Sequence, residues 1–230
     1  MNSGSAQTTF SLVSLFFMGG VFMWPLLAFS VAAVALSFER AAYLLYHSLR
    51  LDDLAKATLA YLKADDAASA AAYLQPLAKR RIGARILLVL VRRANLSEHR
   101  LEKAVEAEAL SCISRLENGC GFLTAIGSLA PLTGFLGTVS GMIGAFKSIS
   151  EAAEVSAQIV ADGIYEALIT TEFGLIIAIV VLTVHSLVTH AIDRFAAETE
   201  KTCSELIAEI AVHNEADAAN AGQSATAEAI

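Results

Sequence analysis

Apolar positions fall along this chain in three long uncharged or nearly uncharged runs, with shorter helical stripes between them. Residues 12–38 carry no charge and stop abruptly at Glu39 and Arg40. At about 1.5 Å of rise per residue, such a run is long enough to cross a hydrocarbon core of about 30 Å with some tilt. Residues 119–146 are again uncharged, and residues 163–190 are apolar apart from Glu166, Glu172, His185, His190 and scattered hydroxyls. Between the first and second runs the pattern changes to one-sided stripes. Leu51, Leu54, Thr58 and Leu62 recur at helical spacing, and Asp65 and Asp66 are placed to cap an Ala-rich second helix that Gln75 and Pro76 break or restart. Residues 82–91 are apolar except for Arg85, but too short to span and flanked by Lys79, Arg80, Arg81, Arg92 and Arg93, which predicts a buried or interface-lying amphipathic helix. Ser97 is placed as an N-cap for a longer helix whose stripe is Leu101, Val105, Ala109, Ile113 and Leu116. That periodicity runs on into the second apolar run, so residues 98–148 read as nearly one helix.

Together these elements predict an all-α integral membrane protein with three transmembrane helices and long cytoplasmic helical extensions. The divisions are an outer N-terminal segment, 1–11; a first span, 12–38; a cytoplasmic helical domain, 39–118; and a second span, 119–148. A periplasmic loop, 149–162, a third span, 163–190, a cytoplasmic helix, 191–213, and a disordered, small, polar and acidic tail, 214–230, complete the chain. Pro25 is expected to kink the first span, together with a break at Gly19 and Gly20. No basic residue precedes the first run, so it reads as a retained helix rather than a cleaved signal.

Charge sets the orientation. Of the 16 Lys and Arg, all but Lys147, Arg194 and Lys201 lie between Arg40 and Arg115, which by the positive-inside rule puts that segment in the cytoplasm and the N-terminus outside. The net charge of -7 and 56% apolar content over 230 residues, with a mean hydropathy of +0.58, exclude an ordinary soluble domain. Cys112, Cys120 and Cys203 form neither a disulfide framework nor a zinc spacing. With no nucleophile and base constellation, phosphate loop or metal set, no cofactor is expected and an enzyme is disfavoured.

Polar residues inside the spans carry the functional argument. An intramembrane carboxylate costs about 2.5–3.5 kcal/mol even on lenient insertion scales, so such groups face a bundle interior or a hydrated path. Gly134, Gly137, Gly141 and Gly144 give the second span a smooth face for close helix approach, with Thr138 among them. A Thr there also bonds its own i−4 carbonyl, that of Gly134, as an ordinary structural device. On the third span Glu166 and Thr170 share a face, and Thr171, Gly174 and Ala178 share another. Glu172 lies about 9 Å deeper than Glu166 and about 240° around the helix. Glu166 also fits an interfacial carboxylate, and Glu172 a neutral hydrogen-bonded one. His185 and His190 approach the cytoplasmic boundary, where interfacial placement is the plainer reading than a proton relay.

Ala130-Pro131, then Gly134-Phe135-Leu136-Gly137-Thr138-Val139-Ser140-Gly141, then Gly163-Ile164-Tyr165-Glu166-Ala167-Leu168-Ile169-Thr170-Thr171 and Gly174-Leu175 closely resemble the MotA/TolQ/ExbB proton-channel family. Three spans rather than four match its ExbB/TolQ branch, and most closely ExbB. The resemblance implies a ring pentamer enclosing the single spans of an ExbD- or TolR-like partner dimer, and work delivered to a TonB- or TolA-like transducer in outer-membrane transport or envelope integrity. It also implies that a partner Asp carries the proton past Thr138 and Thr171, with Glu166 the family's acidic residue. Glu172 joins them as a pathway candidate by its depth alone. The family's Pro and Asn in the third span are Val180 and Ser186 here, so that helix is expected to be straighter. The alternatives are a structural membrane scaffold without ion conduction and, last, a transporter, for which no inverted repeat is visible.

Overall fold

The computed structural model describes residues 14–47, 49–64, 66–151 and 157–228, with no strand among them. A helical turn at residues 14–18 precedes α1 (Met23–Tyr46), α2 (Asp52–Lys63), α3 (Ala67–Leu77), α4 (Ile82–Arg92), α5 (Glu98–Glu117), α6 (Cys120–Glu151) and α7 (Ala157–Glu228). Helical segments in α1, in the chain from Glu98 to Glu151 and in α7 are long and apolar enough to cross a membrane. The chain divides into two compact units. One holds the chain up to Arg40 with Gly119–Val188, and the other Ala41–Asn118 with the chain from Thr189.

In the first unit α1 packs on α6 and α7 through two apolar clusters. Met23 and Leu26 meet Ala130 and Ile169, and Ala33 meets Leu123, Ile126 and Val181. Lipid tails are as apolar as these side chains, so contact density and the approach allowed by small residues, rather than removal from water, hold the helices together. The other faces expose Val31, Val34, Phe38, Phe135, Ile143, Leu168 and Ile179.

The first run is broken at Gly19 and Gly20, as expected, and Gly20 has φ 64, a left-handed conformation that costs glycine little. Other expectations change here. Pro25 does not kink a helix, because it is the third residue of α1, where its missing N–H would have had no helical acceptor. Residues 98–148 are not one helix either: α5 ends at Glu117 and α6 begins at Cys120. Between them Gly119 has φ 90, and a Cβ there would lie 2.9 Å from Nη2 of Arg40. Asn-Gly is a helix-ending pair that the apolar periodicity concealed.

The second unit has a soluble-type core. Leu51, Leu54, Thr58 and Leu62 are buried as expected, and most of α4 is buried, including Ile86, Leu87 and Leu90. Asp66 caps α3 by accepting from the Ser69 N–H at 2.8 Å. Its pKa is lowered by hydrogen bonding to the Ser69 side chain and, next, by that backbone bond. Pro76 lies inside α3, which ends one residue later at Leu77. Ser97 stands at the N-cap of α5 without a side-chain bond. Along α5, Leu101, Val105, Cys112 and Leu116 are buried, so Cys112 takes the innermost place on the stripe expected for Ile113. Arg85 pairs with Glu108 at 2.6 Å across α4 and α5.

From Thr189 onward α7 contributes Ile192, Phe195, Thr199, Cys203, Leu206, Ile207 and Ile210 to this core. The tail expected to be disordered from residue 214 continues the helix to Glu228, in keeping with its many alanines. Likewise α6 runs on to Glu151 and α7 starts at Ala157, so the expected loop is shorter than 149–162. Residues 1–11, Asp65 and residues 152–156 lie outside the described residues.

Candidate functional site: the seam between α6 and α7

The two helices run antiparallel and meet through residues with almost no side chain. A Cβ built on Gly134 would lie 2.7 Å from the carbonyl oxygen of Thr170 and 3.0 Å from Cα of Thr171, and one on Gly174 would lie 2.6 Å from the carbonyl oxygen of Ala130. Gly141 faces Ala167, and Gly163 faces Ala145. The expected glycine face is therefore where α7 lies against α6. Gly144, expected on the same face, is open, with nothing within 4 Å of a built Cβ.

This approach brings hydroxyls of the two helices together. Thr138 and Thr171 are hydrogen-bonded through their Oγ1 atoms. Each also has a carbonyl within reach on the opposite helix, Thr138 that of Ala167 at 3.1 Å and Thr171 that of Gly134 at 3.0 Å. Thr138 reaches its own i−4 carbonyl, Gly134, at 3.3 Å, so the ordinary structural bond is present beside the cross-helix ones. Each hydroxyl has one proton to donate and two lone pairs to accept with. The pair thus has two directions: Thr138 donates to Thr171, which donates to Gly134, or Thr171 donates to Thr138, which donates to Ala167. Both threonines are half-buried, so the pair is sheltered by its own chain yet reachable from one side.

Thr170 was read only as sharing a face with Glu166. It is 1% exposed, fills the space left by Gly137, where a Cβ would meet its Oγ1 at 2.5 Å, and donates to Ala167 at 2.8 Å or Gly134 at 3.3 Å. Its role is to lock the seam beside the pair. The signal was the glycine one turn from Gly134 opposite a doubled threonine.

The two carboxylates are elsewhere. Glu166 is half-buried, and its Oε1 lies where a Cβ of Gly20 would stand, so the break before α1 makes room for it. Glu172 is exposed, on a face with Leu168, Leu175, Ile176 and Ile179. For the expected bonded neutral Glu172, no partner occurs among the described residues. No described group holds either carboxylate by a hydrogen bond or ion pair. Farther along the seam Thr124 Oγ1 lies 3.2 Å from His185 Nε2, a pairing that reading the histidines singly overlooked. No group of three potential ligands for a metal occurs among the described residues.

Residues 71–201 match the MotA/TolQ/ExbB proton channel family. The chain is 35% identical over 198 residues to the putative biopolymer transport protein ExbB-like 1 of Synechocystis sp., covering 81% of this chain and 75% of that protein. It is 32% identical over 108 residues to the biopolymer transport protein ExbB of Pseudomonas putida, 47% of this chain and 32% of that protein. It is 46% identical over 67 residues to the Tol-Pal system protein TolQ of Haemophilus influenzae, 29% of each. The matched segment thus spans about a third of each of the latter two proteins.

Proposed function

Because the chain belongs to the MotA/TolQ/ExbB proton channel family, in its ExbB/TolQ branch, we propose that it is the ring-forming channel and motor subunit of an energy-transducing complex in the inner membrane. In this reading five copies surround the single spans of an ExbD- or TolR-like dimer, and proton flow drives work on a TonB- or TolA-like partner. Nucleic acid has no part in it. The basic residues between Arg40 and Arg115 favour a cytoplasmic place for that segment and for the C-terminus.

The observation that carries the proposal is the reversible hydroxyl pair Thr138–Thr171. A partner Asp among apolar helices is cheap when neutral and costly when charged. A carboxylate arriving at the pair needs a donor, and a carboxylic acid needs an acceptor. The pair supplies either by turning its hydroxyls, because a carbonyl waits at each end. Glu166 would serve the outer approach and Glu172 would face the ring's other components.

Replacing Thr171 or Thr138 by Val keeps the shape and removes the hydroxyl. In vesicles containing the whole complex, proton flux is expected to fall by about 100-fold or more, the scale of lost proton-transfer assistance, with ring assembly retained and with Ser replacements keeping more flux. Glu172→Gln separates a relaying Glu172, which loses flux, from a passive one, which does not. Wild-type flux in Thr171→Val would leave the pair as a structural clasp and favour the scaffold reading.

A further inference from the structure

Equal steps along antiparallel helices keep opposite positions opposite. Fourteen residues back from Thr138 is Thr124, and fourteen on from Thr171 is His185; the two meet again, Thr124 Oγ1 being 3.2 Å from His185 Nε2. Two heptads amount to about 21 Å of rise and only about 40° of drift. The midpoint positions are Pro131 and Ala178, which offer neither a hydroxyl nor a titratable group. The seam therefore carries two polar stations separated by an apolar gap, and the second contains an imidazole.

That imidazole is not satisfied by its own chain. His185 Nδ1 is buried and has no hydrogen-bond partner among the described residues. Such an orphan is destabilising unless something else supplies a partner. We propose that Thr124–His185 is a second proton-handling station on the inward side of Thr138–Thr171, with Nδ1 taking or giving a proton through water in the assembled ring. This rests on the channel reading above. A proton taken from hydronium at Nδ1 makes imidazolium. Nε2 then gives its proton to Thr124 Oγ1 as that hydroxyl passes its own to a second water. One proton enters, one leaves and no electrons move; the ring is left protonated at Nδ1, and it regains its first tautomer when water takes the Nδ1 proton and returns one to Nε2.

The titratable and charged groups around this end are few. On α6 there is Cys120, whose carbonyl accepts from Thr124 at 3.3 Å; on α7 the next is His190, and on α1 they are Glu39 and Arg40, paired at 3.0 Å. An imidazolium offers two donors and no acceptor, whereas the neutral ring offers one of each, so the station relays only while Nδ1 can both take and lose a proton.

The test is proton flux through the whole complex in vesicles. His185→Gln keeps a partner for Thr124 but cannot take up a proton. It should lower flux about tenfold or more while the ring stays assembled; Thr124→Val should lower flux less. Wild-type flux in His185→Gln overturns the proposal. If Thr171→Val blocks flux and His185→Gln does not, only this inference falls; if Thr171→Val conducts normally, the channel reading falls with it. Should His185→Gln fail to assemble, the wild-type ring can be followed by histidine-selective NMR, where a single tautomer that never exchanges its ring protons overturns the proposal.

Discussion

Exchanging one hydrogen for a methyl group separates the glycines of α6 into two kinds. At Gly134 the new carbon would stand 2.7 Å from a backbone oxygen, which cannot turn away, whereas at Gly144 nothing lies within 4 Å. Overpacking of the first sort costs about 1–3 kcal/mol. Gly134→Ala is therefore expected to lower the thermal stability of the detergent-solubilised protein, and Gly144→Ala to leave it unchanged or slightly raised. The sequence marked all four glycines alike, because spacing names a face of α6 but not how far α7 lies along it. For the same reason Thr138 and Thr171 were legible through their motif, while Thr170 and the Thr124–His185 contact required the register between two helices. The exposure of Glu172 was equally hidden, since depth along a helix says nothing about which neighbours cover it.

Between elements, charge rather than shape supplies the test. Glu198 on α7 has its pKa raised by burial and by the nearby Asp52 of α2. A raised carboxyl favours the protonated form of the folded state, so its contribution is present below the ordinary carboxylate range and is lost as pH rises through the raised value. At neutral pH the contact is unfavourable by about 0.2–1 kcal/mol, the scale of solvent-screened charge pairs. Glu198→Gln should therefore raise the denaturation midpoint at pH 7 and lose that advantage near pH 4. The helices themselves were mostly readable from apolar spacing, as Leu51, Leu54, Thr58 and Leu62 illustrate. Their ends were only partly so: the Gly19–Gly20 break was legible, whereas Gly119 stops a helix through positive φ, a backbone property that hydrophobic periodicity overruns. Pro25 suggests a kink by residue type alone, but α1 starts only two residues before it.

For the whole molecule, three membrane-length apolar helices were plain from runs with little or no charge, whereas a ring is a property of several chains. Phe135, Ile143, Leu168 and Ile179 remain exposed on the first unit, and lipid or neighbouring copies can cover such faces equally well. Mass measurement of the solubilised protein is expected to give five copies, and a stable monomer would count against the proposed assembly. The Gly134–Gly174 contact also bears on how such a protein can change over generations. A Cβ on Gly174 would lie 3.3 Å from the Gly134 Cα, so both sides already have the smallest side chain available. A gain in volume on one helix cannot be offset by a loss on the other. Mutational drift at this point is one-way, and any suppressor of Gly134→Ala has to work by moving a helix, carrying Thr138 and Thr171 with it.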